Sequence, residues 1–325
     1  PKTPETKGLI GKEALARTKK GVIVVNAARG GLVDEQALAD AITSGHVFAA
    51  GIDVYASEPC TDSPLFELPQ VVVTPHLGAS TTEAQDRAGT DVAKSVLLAL
   101  AGEFVPDAVN VSGGAVGEEV APWLDIVRKQ GVLLGALSDE LPTSLSVGVR
   151  GELASEDVDI LKLSALRGLF SAVIEDAVTF VNAPSLAEER GVTADVTKAS
   201  ESPNHRSVVD VRAVYGDGTV VNVAGTLTGP QHVEKIVNIN GRNFDLRAEG
   251  KNLIVTYDDR PGSLGRIGTA LGDAGVDIAA AALSQDAEGG GATILLRVDR
   301  DVAQDVRDAI AASVGATTIE LVDLS

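Results

Sequence analysis

The run Gly21-Val22-Ile23-Val24-Val25-Asn26 constrains the fold of this chain more than any other stretch. It is continuously apolar rather than alternating, and turn residues bound it. That pattern predicts a strand buried on both faces of a parallel sheet. Asp34-Glu35-Gln36-Ala37-Leu38-Ala39 predicts a helix start, with acidic residues where the helix dipole favours them. Further strands are expected over 47–54 and 71–74. A long helix is expected over 81–101, opened by a Ser80/Thr81/Thr82 cap and by Glu83 in its first turn. Strand alternating with helix is the rhythm of a doubly wound α/β sheet.

The pattern changes after Pro106 and the Ser112-Gly113-Gly114 stretch. From there, helices are expected over 118–137 and 157–174. Short strands are expected at 144–150, 192–197, 208–215, 220–227, 232–239 and 243–247. Tyr215-Gly216-Asp217-Gly218-Thr219 is a hairpin turn between two of them. The last 75 residues read strand, helix, strand, strand, helix, strand, which is the ferredoxin-like split βαβ order. The expected fold class is therefore α/β with three parts. A partial Rossmann-like domain spans 1–110, an α+β intervening module 111–250 and a ferredoxin-like unit 251–325.

Composition narrows the function. The 325 residues carry a formal charge of −19, spread over all three parts, with 44% hydrophobic residues. That acidity argues against a nucleic-acid partner, whose phosphates need clustered Lys and Arg. Cys60 is the one cysteine, so neither an intramolecular disulfide nor a cysteine-based zinc site can form. His46, His205 and His232 have no matching metal-ligand spacing, and no metal is expected. No apolar run approaches the roughly 18 residues of a membrane helix. With no signal peptide in view, a cytoplasmic setting is expected. The chain contains no methionine and opens Pro1-Lys2-Thr3-Pro4, which reads as the middle of a longer protein.

Three polar residues follow apolar strands in the first part: Arg29, Glu58 and His76. Ligands of open parallel sheets bind beyond the carboxyl ends of the strands. His76 can exchange a proton near neutral pH. Glu58 can orient the imidazole and hold its protonated form. Arg29 offers a planar fork to a carboxylate. Gly30, Gly31 and Gly78 beside them permit close approach of backbone to a ligand.

The segments Val24-Val25-Asn26-Ala27-Ala28-Arg29-Gly30-Gly31-Leu32-Val33-Asp34, Ala50-Gly51-Ile52-Asp53-Val54-Tyr55-Ala56-Ser57-Glu58-Pro59 and Thr74-Pro75-His76-Leu77-Gly78-Ala79-Ser80-Thr81 closely resemble the D-2-hydroxyacid dehydrogenase family. The resemblance implies that Arg29 binds the substrate carboxylate and carbonyl. It implies that His76 is acid and base at the C2 hydroxyl, with Glu58 as its partner. It also implies that Ala27, Ala28, Arg29, Asp53, His76, Leu77, Gly78 and Ala79 line the nicotinamide end of NAD. Asn252-Leu253-Ile254-Val255-Thr256-Tyr257-Asp258-Asp259-Arg260-Pro261-Gly262-Ser263-Leu264-Gly265 resembles the opening of an ACT domain, an amino-acid-binding regulatory module. Together the parts look like the long, type I branch of the phosphoglycerate dehydrogenases. That implies oxidation of 3-phosphoglycerate with NAD at the head of serine synthesis, feedback by L-serine, and a homotetramer.

In that branch the effector sits between two ACT domains, and Tyr257 and Asp259 match the turn that meets it. The next contact is usually Asn, but here the motif reads Gly275-Val276-Asp277-Ile278. A carboxylate accepts hydrogen bonds from an amino group but supplies no amide donor, so a contact to the serine carboxylate is expected to be lost. Lys235, Arg242 and Arg247 cluster inside the acidic intervening module, which suggests an anion site for phosphate or substrate. Trp123 reads as packing or interface, and Cys60 as unreactive.

No Gly-x-Gly-x-x-Gly turn occurs; Gly216-x-Gly218 and Gly289-x-Gly291 fail at the third glycine. The expectation is the C-terminal portion of such an enzyme, forming no NADH from 3-phosphoglycerate as the polypeptide stands. Two other readings stay open: a non-catalytic regulatory or assembly fragment, and a different D-2-hydroxyacid dehydrogenase.

Overall fold

A computed structural model describes residues 2–109, 116–138, 140–175, 177–285 and 291–325. The Ser112-Gly113-Gly114 boundary lies outside them. The chain divides into two compact units, Pro1–Lys94 and Ser95–Ser325.

The first unit is built around a three-stranded parallel sheet. Its elements are α1 (Lys12–Ala16), β1 (Val22–Asn26), α2 (Glu35–Thr43), β2 (Val47–Ile52) and β3 (Val71–Val73). The strand order is β1-β2-β3. Asn26 lies beside Ile52, and Ile52 beside Val73, so the carboxyl ends of all three strands come out level. Asp34 caps α2 by accepting from the Ala37 amide at 2.9 Å. Leu38, Ala39 and Ile42 of α2 join Leu15, Val47, Ala50, Ile52 and Leu65 in one core.

Burial on both faces does not hold for β1. Ile23 and Val25 are exposed, and so are Phe48 and Val72 on the neighbouring strands. Successive side chains point to opposite sides of a sheet. Helix α2 covers one side, and no described element of this unit covers the other. A long helix, α3 (Thr82–Leu100), follows and buries none of its residues. Thr81 caps it, accepting from the Ala84 amide at 3.2 Å.

The second unit contains two sheets. It begins with α4 (Trp123–Ala136), β4 (Ser144–Gly151), α5 (Ile160–Ser171) and α6 (Ala183–Glu189). There follow β5 (Thr193–Ala199), β6 (Ser207–Val214), β7 (Val220–Thr228), β8 (Val233–Ile239) and β9 (Arg242–Arg247). The six strands run in the order β5-β4-β6-β7-β8-β9, with β4 and β5 parallel and the other neighbours antiparallel. Helices α4 and α5 cover one face, where Val147, Val211 and Val223 meet Ile126, Leu134 and Leu169. The two helices cross at glycine: a Cβ on Gly168 would lie 1.8 Å from the Arg128 carbonyl oxygen. The short helix α6 was not visible in the periodicity; its seven residues are too few to set a pattern.

The second sheet comes from β10 (Lys251–Asp258), α7 (Ser263–Asp273), β11 (Ile278–Gln285), β12 (Gly291–Val298), α8 (Gln304–Val314) and β13 (Ala316–Asp323). Its order, β11-β12-β10-β13, is the one expected for the split βαβ arrangement. The central strand β10 is buried on both sides. Leu253, Val255 and Tyr257 face Ile267, Leu271 and Ile310 on the helices. Ile254 turns the other way, with Leu295 and Val322, into the larger core. No helix of the described residues is long and apolar enough to cross a membrane.

Candidate active site

The level carboxyl ends of β1, β2 and β3 bring the three motifs together. Arg29 lies three residues beyond β1, Asp53 is the first residue after β2, and His76 lies three residues beyond β3. Glu58 hangs on the connection between β2 and β3.

The Arg29 turn is closed by a side chain that the sequence reading did not single out. Asn26, buried at 6% exposure, accepts from the Ala28 amide at 3.2 Å and donates to the Arg29 carbonyl at 3.2 Å. Asparagine closing a turn on its own backbone is the available signal, and it was legible as an Asn four residues before the first of the two glycines. The Arg29 side chain is exposed, with Nη1 donating to the Ala28 carbonyl at 2.7 Å. Behind it, Gly30 packs against the peptide between Tyr55 and Ala56. A Cβ at that position would lie 1.6 Å from the Tyr55 carbonyl oxygen.

His76 and Glu58 are hydrogen-bonded, with Nδ1 2.7 Å from Oε2. The other carboxylate oxygen of Glu58 accepts from the Tyr55 amide at 2.9 Å. The Tyr55 amide, followed by the imidazole, holds the Glu58 carboxyl below its usual range. With Nδ1 engaged, Nε2 of His76 is the nitrogen left to face a ligand. His76 has φ +59°, a left-handed conformation uncommon for a side chain of this size. Such strain persists where the surroundings over-determine it.

Asp53 supplies much of that constraint. Its Oδ1 accepts from the Thr74 hydroxyl at 2.5 Å and from the Leu77 amide at 2.7 Å. Its Oδ2 accepts from the Gly78 amide at 2.9 Å. The hydroxyl first, then the amide of Leu77, keeps this carboxyl below its ordinary range. Asp53 is buried, while Ala27, Ala28, Arg29, His76, Leu77, Gly78 and Ala79 are exposed beside one another's strand ends. The exposed set forms a ledge at the strand ends. Asp53 stands behind the ledge and holds its His76 side in place. The Tyr55 hydroxyl adds a tie between strand ends, donating to the Ile52 and Thr74 carbonyls at 3.2 Å each.

The other expected sites divide differently. Lys235 and Arg247 are direct cross-strand neighbours on β8 and β9, and Lys235 pairs with Asp245 at 2.6 Å. Arg242 opens β9 opposite Ile239, five residues from Arg247, which is about 16 Å along a strand. In the last sheet, Tyr257 lies beside Ala292, whereas Asp277 immediately precedes Ile278, which lies beside Val298. Six residues of β12 separate the two levels, about 20 Å. Tyr257 is 2% exposed and packs in the core under α7 and α8. Asp259 accepts from the Gln285 amide group at 2.5 Å, and the Asp277 backbone amide donates to Asp299 at 2.9 Å.

Three family models match the chain. Residues 1–78 match the D-isomer specific 2-hydroxyacid dehydrogenase NAD binding domain, 119–240 the D-3-phosphoglycerate dehydrogenase intervening domain and 251–315 the ACT domain. The D-3-phosphoglycerate dehydrogenase of Mycobacterium bovis is 78% identical over all 325 residues.

The chain matches the C-terminal part of the D-3-phosphoglycerate dehydrogenases.

That alignment covers 100% of this chain and 62% of the relative, its C-terminal part. The Bacillus subtilis D-3-phosphoglycerate dehydrogenase is 34% identical over 326 aligned residues, again 100% of this chain and 62% of the relative. The chain thus spans about three-fifths of the length of these relatives. A glyoxylate reductase structure from Paecilomyes thermophila aligns with 30% of the chain at 38% identity, with a TM-score of 0.29.

Proposed function

We propose that this chain carries the catalytic acid–base machinery and the regulatory modules of a cytoplasmic 3-phosphoglycerate dehydrogenase. The observation that carries this reading is the Glu58–His76 pair at 2.7 Å, standing at strand ends level with the Arg29 turn. The Arg29 fork binds the substrate carboxylate. Nε2 of His76 takes the proton from the C2 hydroxyl, and Glu58 stabilises the imidazolium that results. Nicotinamide dinucleotide, when bound, supplies the acceptor for the C2 hydride. Ala27, Ala28 and the backbone of 77–79 hold its ring on the exposed ledge, and Asp53 acts from behind by fixing the His76 loop.

L-Serine is the proposed effector, held between the ACT domains of two copies in a homotetramer. The separation of Tyr257 and Asp259 from Asp277 supports this. One small ligand cannot touch both ends of the sheet in one chain, whereas two copies side by side can present unlike ends to one ligand. Lys235 and Arg247 are the proposed anion site of the intervening module.

The test uses the complete protein carrying this chain. His76→Ala should lower turnover of 3-phosphoglycerate by roughly 10²- to 10⁴-fold, the usual worth of a general acid–base. Calorimetric binding of L-serine should be unchanged in the same variant. Turnover by His76→Ala at the wild-type rate would refute the acid–base assignment. An absence of serine binding in both forms would refute the effector assignment.

A further inference from the structure

Glu35 has no part in any of the three motifs, yet its carboxylate is fully engaged at the site. It is the first residue of α2, and the helix terminus is already capped by Asp34. Glu35 instead reaches across to the β2–β3 connection. Its Oε1 accepts from the Ala56 amide at 2.8 Å, and its Oε2 from the hydroxyl of buried Ser63 at 2.9 Å. These two anchor points lie on either side of Glu58.

The first anchor is the more telling. The peptide joining Tyr55 to Ala56 has its carbonyl against Gly30, where a Cβ would overlap it, and its N–H on Glu35. One residue earlier, the Tyr55 N–H donates to Glu58. Two consecutive amides therefore point at two different carboxylates. The orientation of the peptide between them decides whether Glu58 can reach His76. Gly30 blocks that peptide from one side, and Glu35 fixes it from the other. Because Gly30 follows Arg29, the same peptide also backs the Arg29 turn.

We infer that Glu35 is a positioning residue. It fixes the Tyr55–Ala56 peptide and the Ser63 limb, so that Glu58 stays aimed at Nδ1 of His76. The activity arm of the test rests on the dehydrogenase reading above; the structural arm does not. A Gln at this position can accept from the Ala56 amide through its oxygen and donate to the Ser63 hydroxyl, whose own hydrogen can rotate away. An Ala can do neither.

The structural arm measures hydrogen exchange of the Ala56 amide in the complete protein carrying this chain. Protection should be kept in Glu35→Gln and lost in Glu35→Ala. In the complete protein, Glu35→Ala should lower kcat by about 10- to 100-fold, the order expected for a displacement of about 1 Å at reacting groups. The KM for the dinucleotide should stay within about threefold, since Glu35 is not on the ledge. The low-pH limb of the kcat profile should move upward, because Glu58 loses the Tyr55 amide that holds its carboxyl down. Glu35→Gln should restore both rate and profile. Ser63→Ala should lose less than Glu35→Ala, and the double variant no more than Glu35→Ala alone.

A protected Ala56 amide in Glu35→Ala, or an unchanged kcat, would overturn the inference. So would a Glu35→Gln variant as impaired as Glu35→Ala, because charge rather than hydrogen bonding would then be at work. If the wild-type complete protein fails to oxidise 3-phosphoglycerate, the dehydrogenase reading falls, while the exchange result still decides the role of Glu35.

Discussion

Replacing Gly30 by Ala is the sharpest test of how the site is assembled. The added Cβ would stand 1.6 Å from the Tyr55 carbonyl oxygen, 2.1 Å from its carbon and 2.9 Å from the Ala56 nitrogen. Ordinary contact begins near 3.4 Å, so the two backbones must separate by about 1.8 Å, the difference from 1.6 Å. No side chain can swing aside, because every atom met is main chain. The displaced peptide is the one that precedes the Glu58 loop, and the moving partner follows Arg29. A shift of about 1 Å at reacting groups already costs about 100-fold in rate, so a loss of at least 100-fold in kcat is expected. Overpacking also costs about 1–3 kcal/mol of stability in the first unit. The assay pairs steady-state turnover of the complete protein with a urea melt followed by circular dichroism. Wild-type turnover in a folded Gly30→Ala protein would refute the claim that these two backbones must touch.

Two further outcomes are expected. Asp53 and Glu58 have carboxyls held below their ordinary ranges, so each contributes stability that is complete above the ordinary carboxylate pKa of about 4 and is lost as pH falls below it. Exchange protection of the Leu77 and Gly78 amides should therefore be flat from pH 8 to about pH 5 and fall on further acidification; constant protection down to pH 3 would contradict the hydrogen bonds assigned to Asp53. In the intervening module, Lys235→Ala combined with Arg247→Ala should abolish the response of turnover to inorganic phosphate, whereas Arg242→Ala alone should leave most of it. Equal losses from both changes would place the anion elsewhere.

Much of the site was legible because its motifs are local. Arg29, Glu58 and His76 each follow an apolar run by a few residues, and a parallel sheet brings such positions to one edge whenever its strands are neighbours. The ACT-like unit was legible for a similar reason: each strand and helix has enough residues to show its period. The boundaries were less exact. Helix α4 begins at Trp123, several residues after the start expected from its apolar spacing, since the residues before it form turns that share the same hydrophobic pattern.

Apart from the Glu58–His76 pair, what escaped the sequence was the set of hydrogen bonds between distant residues. Asp53 looked like a cofactor contact, and folding turned its carboxylate toward Thr74, Leu77 and Gly78. Glu35 looked like a helix-start residue, and folding placed its oxygens on Ala56 and Ser63. Lys235, Arg242 and Arg247 looked like one cluster, and strand register kept Lys235 with Arg247 while moving Arg242 to the far end of β9.

The same division holds for the apolar run that sets the fold. Its composition alone determined that residues 22–26 form a strand in a parallel sheet, because a continuous apolar segment of that length has few other stable uses. Whether both of its faces are covered was not in the run. Adjacent residues of a strand point to opposite sides, so Val24 and Val25 meet different surroundings despite identical side chains. Only the packing of other elements decides what each side meets. In this chain α2 covers one side, and Ile23 and Val25 stand exposed on the other.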